Sequence, residues 1–263
     1  MVMLKKEDGY ALIFVMIILS MFSIIFPVLL NLSYNQFCIS RNYEAAIKDH
    51  FLINGVVNIL LQDIYETLKE KVNKQGYIRK KDLSLLSKKK TLRIDGVTIK
   101  YEIKDIVDES SKININKADK KILKSLQGVG DLLAQEIISN RNFKAIEEIT
   151  KVKGIGEVNS PSYQKIKRYI TIHSDKRINI NTAEKLVLES LTGISSSLAQ
   201  RIINHRPFDR IEELTEINGI GEKTYSSLSD YIKASSKNFT VSFLIHIKEE
   251  NIKYESSRIL TID

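Results

Sequence analysis

The chain has 263 residues, with 40 Lys and Arg against 32 Asp and Glu for a formal charge of +8. Hydrophobic residues at 43% and charged residues at 27% exclude a disordered chain, and 3 Pro with 11 Gly exclude collagen-like and low-complexity classes. Its one cysteine, Cys38, excludes an intramolecular disulfide framework and a cysteine-cluster metal site.

No charged residue occurs from Gly9 to Ser40. Within that run, Tyr10–Leu30 is mostly apolar and, as a helix, is long enough to cross a hydrocarbon core about 30 Å thick. Lys5 and Lys6 precede it, which favours a cytoplasmic N-terminus. The expectation is a single-pass cytoplasmic (inner) membrane protein, anchored through 10–40, with its C-terminal part on the extracytoplasmic side. No small-x-small cleavage site closely follows the run, which argues against an ordinary secretory signal. Gly9 stands directly between a short charged leader, 1–9, and the apolar run. This arrangement resembles the type IV prepilin leader. The resemblance implies cutting between Gly9 and Tyr10 by prepilin peptidase, with the helix retained. Phe14 then becomes the fifth mature residue, a position where most members of that family carry Glu.

Downstream, Ile47, Phe51, Leu52, Val56, Ile59, Leu60, Ile64 and Leu68 recur every three to four residues and predict a helix over Ala45–Lys71. Thr91–Ile94, the turn Asp95-Gly96 and Val97–Lys104 predict a β-hairpin whose second strand alternates apolar and polar residues. Phe239, Val241, Phe243, Ile245 and Ile247 alternate likewise, followed by a turn at Glu249-Glu250-Asn251 and a further strand, Ile252–Ile262. A lone hairpin is marginal in water. Two hairpins on the amphipathic helix give an α+β domain from 41–112 and 237–263, with everything between them inserted.

The insertion is a duplication. Ile113-Asn-Ile-Asn116 recurs 65 residues later as Ile178-Asn-Ile-Asn181, and Arg141, Phe143 and Gly154-Ile-Gly156 recur as Arg206, Phe208 and Gly219-Ile-Gly221. The copies span 113–173 and 178–236. Asn116 and Asn181 are expected as helix N-caps, with Asp119 and Glu184 completing a capping pattern. Glycine pairs punctuate the helices at Gly128 and Gly130, Gly154 and Gly156, and Gly219 and Gly221, while Ser195 replaces the second glycine after Gly193. These spacings resemble helix-hairpin-helix motifs, two per copy. In DNA-binding members of that superfamily the exposed hairpin N–H groups hold a phosphate. The first copy carries eleven Lys and Arg against six Asp and Glu, and the second carries six against eight. Phosphate neutralisation drives nonspecific DNA affinity, so the second copy is expected to be a poor DNA binder. Asp131, Glu157 and Glu222 directly follow glycine pairs and weigh against phosphate contact.

His50, His173, His205 and His246 are scattered, with no pair at metal-ligand spacing. The adjacent carboxylates Glu147-Glu148 and Glu212-Glu213 read as solvated helix-face residues. No catalytic constellation emerges, and the chain is expected not to be an enzyme.

Taken in order, the leader at Gly9, Phe14 in place of Glu, the strand Val97–Asp108 running into Asp108–Asn116, the duplicated insertion and the closing strands resemble the general secretion pathway protein K family. These are minor pseudopilins of type II secretion. The resemblance implies a pilin-like long helix with a small antiparallel sheet and an inserted all-α helix-hairpin-helix domain. It also implies partner minor pseudopilins or pilins, a place at the filament tip, and a role in filament initiation and protein secretion. Some members bind calcium in the helical domain, but no ligand set can be placed on this sequence, and no cofactor is required. A competing resemblance is to a membrane-anchored DNA receptor of the competence ComEA type, which accounts for the first copy and the net charge but not for Gly9 or the strands.

Overall fold

The computed structural model describes residues 6–86, 89–94, 96–247 and 252–263. The chain divides into two units, one up to Asn58 and one from Ile59 to Asp263.

The first unit is helix throughout its described length. That helix starts at Lys6 and continues past the unit's end to Gln75. Pro27 lies inside it and removes one backbone donor. Ser20 and Ser23 satisfy their hydroxyls locally, on the carbonyls of Ile17 and Leu19. The side chains of Tyr10–Leu30 are exposed. A contiguous apolar surface of this extent marks a membrane or partner-helix environment.

In the second unit the last turns of the helix bury Leu60, Ile64 and Leu68, one stripe at four-residue spacing. A short helix, Lys80–Leu85, follows. Its buried Asp82 accepts from Arg79 N at 3.0 Å, Arg79 Nε at 2.9 Å and Lys71 Nζ at 3.2 Å, which ties it back to the long helix.

Four antiparallel strands then form one sheet in the spatial order Lys89–Ile94, Val97–Asp108, Asn238–Ile247, Ile252–Thr261. Both expected hairpins are present. Asp95 and the Glu249-Glu250-Asn251 turn lie outside the described residues. Phe239, Val241, Phe243, Ile245 and Ile247 are buried, as their alternation predicts. The second strand changes phase: Ile99, Tyr101 and Ile103 point inward, a bulge intervenes before Asp105, and Ile106 and Asp108 then point inward. Asp108 pairs with Phe239 in the sheet, so the insertion leaves and re-enters on neighbouring strands. Lys90 Nζ bridges 2.8 Å to Asp63 Oδ2 on the long helix.

Each copy of the duplication opens and closes with a two-residue parallel pairing, Ile113–Asn114 with Ile170–Thr171 and Ile178–Asn179 with Ile232–Lys233. Between these lie short α and 3-10 helices: Lys120–Leu123, Asp131–Ser139, Ile146–Lys151 and Pro161–Ile166 in the first copy, and Lys185–Glu189, Ser196–His205, Ile211–Glu216 and Glu222–Leu228 in the second. A single apolar core runs through both copies.

The capping expectation is corrected. The helices start at Lys120 and Lys185, with Asp119 and Glu184 in the cap positions, and neither Asn116 nor Asn181 caps them. Asn116 instead clamps a chain segment 27 residues away: its Oδ1 accepts from Phe143 N at 3.0 Å and its Nδ2 donates to Phe143 O at 3.0 Å. Asn181 does the same to Phe208, at 2.8 Å for both bonds.

Candidate functional site

The hairpins are built around a buried central residue. In Gly128-Val-Gly130, Gly154-Ile-Gly156, Gly193-Ile-Ser195 and Gly219-Ile-Gly221 the middle side chain is buried and the flanking residues are exposed. The apolar anchor holds each loop down, which leaves the glycine backbone at the surface. The first glycine of each set has positive φ, from +82° at Gly193 to +105° at Gly154. At Gly219 the need is double, because φ is +97° and an added Cβ would lie 2.9 Å from Leu198 Cδ2.

The second position has a different task. Gly130 and Gly221 are the N-caps of Asp131–Ser139 and Glu222–Leu228. Ser195 is the N-cap of Ser196–His205, and its hydroxyl accepts from Leu198 N at 3.3 Å. The replacement of glycine by serine there therefore fits the position. Gly156 differs, with φ +81° and the next helix capped only at Ser160. The extra residues around Asn159-Ser-Pro161 delay that helix start.

Two arginines, paired by the repeat, hold each copy together. Arg206 donates from Nε to Ile180 O at 2.5 Å and from Nη2 to Ala183 O at 2.6 Å. Arg141 makes the matching bonds to Ile115 O and Ala118 O. Burial pushes the Arg206 guanidinium down to about 10. These residues were legible as repeat members, yet nothing in the sequence marked them as clamps.

The adjacent carboxylates are also corrected. Glu148 accepts from Lys144 N at 2.6 Å, one residue before its 3-10 helix's N-cap, and Glu213 accepts from the N-cap Arg210 N at 3.2 Å, so one of each pair bonds backbone rather than only facing solvent. Beside Lys151, the Glu148 carboxyl is held at about 2.

Where the sheet meets the insertion, two consecutive carboxylates are buried. Asp108 Oδ2 accepts from Asn179 Nδ2 at 2.8 Å, from Ser236 Oγ at 2.8 Å and from the Thr182 hydroxyl, while Oδ1 accepts from Ser110 N at 2.8 Å. Glu109 accepts from the hydroxyls of Thr171 and Thr240 and from Lys112 Nζ at 3.4 Å. Asp108 thus grips the second copy, and Glu109 joins the first copy to the closing strand. Burial pushes the Asp108 carboxyl up, and its four donors pull the other way.

At the first hairpin Asp131 takes Lys120 Nζ at 2.7 Å and Lys124 Nζ at 2.9 Å. The two lysines hold its carboxyl at about 2. Gly9 and Tyr10 lie within the first turns of the long helix, and Tyr10 and Phe14 are exposed. Among the described residues no group of three or more His, Cys, Asp or Glu is placed to hold a metal ion. The calcium implied by the family resemblance therefore has no such donor set among them.

The helix-hairpin-helix motif family matches residues 108–171 and 173–233. In a chain of the GspK–GspI–GspJ complex from the type 2 secretion system of enterotoxigenic Escherichia coli, the same fold covers 85% of this chain and 94% of that one, at TM-score 0.62 and 15% identity. The fold is pilin-like, with helix-hairpin-helix repeats. ComE operon protein 1 of Bacillus subtilis is 45% identical over 64 residues, covering 23% of this chain and 30% of that protein. Endonuclease/exonuclease/phosphatase family domain-containing protein 1 is 29% identical over 157 residues in Danio rerio and 26% over 155 in Homo sapiens, covering 49% and 44% of this chain. The chain spans about a quarter of the length of those relatives, 27% in each case. They overturn the expectation that the chain is not an enzyme: the matched stretch, longer than either copy, is shared with proteins named for a nuclease and phosphatase family domain. The match assigns no catalytic residue to this chain.

Proposed function

We propose that the chain is a minor pseudopilin at the tip of a type II secretion pseudopilus or a related type IV pilus, acting in filament initiation and protein secretion. The observation that carries this reading is a pilin-like fold extending over 85% of the chain together with the exposed apolar helix from Tyr10 onward. Prepilin peptidase cuts after Gly9. The helix anchors the chain in the cytoplasmic membrane before assembly, with the remainder on the extracytoplasmic side. Other small pilin-like subunits are its partners. In related filaments a carboxylate at the fifth position meets the amine of a neighbour, and an unpaired carboxylate in an apolar helix bundle is costly. Phe14 removes that requirement, as suits a subunit with no neighbour above it.

N-terminal sequencing of the membrane-extracted protein tests the processing. The expected first residue is Tyr10, and Gly9→Arg leaves the precursor uncut. A mature start at Met1 or beyond Ser40 would exclude this processing.

The second reading is a membrane-anchored DNA receptor. It is favoured by the 45% identity to ComE operon protein 1 and by the basic first copy. It predicts salt-sensitive submicromolar binding of duplex DNA, lost when Gly154 and Gly156 are made bulky.

A further inference from the structure

The sequence holds two Asn-Gly steps, Asn54-Gly55 and Asn218-Gly219. An asparagine amide is open to attack by the backbone nitrogen that follows it, and glycine, with no side chain, hinders that attack least. The fold treats the two steps differently. Asn54-Gly55 lies inside the long helix, where Asn54 Nδ2 sits 2.8 Å from His50 Nε2. A helix commits the glycine N–H to a carbonyl one turn back and holds the chain in one conformation. Asn218-Gly219 lies in the last hairpin of the second copy, and both residues are exposed. Ile220 N closes that turn by donating to Ile217 O at 2.9 Å. Among the described residues, neither the Asn218 side-chain amide nor the Gly219 N–H has a hydrogen-bond partner.

Arg201 reaches this turn from the helix Ser196–His205. Its Nη1 donates to Asn218 O at 2.6 Å and stands 3.3 Å from where a Cβ on Gly219 would lie. Asn218 O belongs to the peptide group whose nitrogen is Gly219 N. When that nitrogen loses its proton, negative charge spreads onto the oxygen, and a guanidinium already placed there stabilises it. The first copy has Lys153 and Glu136 at the matching positions, so it carries neither the amide nor the donor.

We propose that Asn218 is a self-modification site, at which Arg201 promotes conversion of the asparagine to aspartate and isoaspartate with water as the only co-reactant. Gly219 N gives its proton to water and bonds to Asn218 Cγ. The Cγ–Nδ2 bond breaks, and Nδ2 leaves as ammonia after taking a proton from water. Water then opens the cyclic imide. Attack at Cγ gives aspartate, and attack at the main-chain carbonyl carbon gives isoaspartate, with the chain routed through Cγ. Either product puts a new carboxylate beside Arg201, and isoaspartate lengthens the turn that the buried Ile220 anchors. The proposal does not depend on the pseudopilin reading.

The test incubates the full-length chain in detergent micelles at mildly alkaline pH. Its peptides are followed by mass spectrometry with electron-transfer fragmentation, which separates aspartate from isoaspartate. Asn218 converts, with isoaspartate among the products, while Asn54 in the same chain stays intact. Hydroxylamine traps the imide and cuts the chain after Asn218. Arg201→Met slows conversion about tenfold, the worth of one charge-assisted hydrogen bond made in the transition state. Arg201→Lys keeps a cation and slows it less. An intact Asn218 would overturn the proposal. So would equal conversion at Asn54, aspartate without isoaspartate, or a wild-type rate in both Arg201 variants.

Discussion

Arg206 is a half-buried cation whose partners are carbonyls rather than a carboxylate. Arg206→Met would fill its volume but leave the carbonyls of Ile180 and Ala183 without those donors. The expected loss is about 2 kcal/mol, or a fall in Tm of roughly 4–8 °C, measured by thermal unfolding. Lys223→Met, on an exposed side chain, should stay within about 0.5 kcal/mol of wild type. Asp82 ties stability to acid pH. Its side chain is 2% exposed. Burial pushes its carboxyl up, but the bonds from Arg79 and Lys71 outweigh burial and hold it at about 2, against about 3.9 in an unfolded chain. A depressed folded value means that its stabilisation is complete above about pH 4 and lost as pH falls through 2, by about 2.5 kcal/mol in all. Asp82→Asn should flatten that acid limb in a Tm series from pH 5 to pH 2.

At the scale of elements, the junction carboxylates divide the labour. Asp108 bonds Asn179, Thr182 and Ser236, all in or just after the second copy, whereas Glu109 bonds Thr171 at the end of the first. Asp108→Ala should lower hydrogen-exchange protection chiefly over 178–236, and Glu109→Ala chiefly over 113–173, because a segment opens more readily once the bonds that anchor it are removed. Uniform loss of protection in both variants would show that the two copies open as one body. The hairpins bear on the same scale. Their glycine spacing was visible in the sequence, but the division between a left-handed first glycine and a capping second position was not, because that depends on where the next helix starts. Ser195 and Gly156 show this: one fills a cap that glycine fills elsewhere, and the other lies four residues before its cap.

For the whole molecule, the tip assignment predicts about one copy of this chain per filament, together with two or three other small pilin-like subunits. Quantitative proteomics of sheared filaments measures it. Stoichiometry like that of a major subunit, or no pilin-like companions, would defeat the assignment even with cutting at Gly9. Phe14→Glu should be tolerated or mildly harmful, since it adds a carboxylate without removing a pairing.

The apolar helix, the two hairpins and the duplication can be read from residue order, because each rests on a local pattern: uncharged length, two-residue alternation and a 65-residue repeat. Residue order also placed the insertion between strands. What the polar residues do became visible only in the folded chain. Asn116 was expected to cap the next helix but clamps Phe143, and Asp108 meets donors 71, 74 and 128 residues away. The bulge before Asp105 turned Ile106 and Asp108 inward against the simple alternation. A period reports which face is apolar. The partner of a buried carboxylate or amide is set by chain segments far off in sequence, and that pairing exists only once the fold has brought them together.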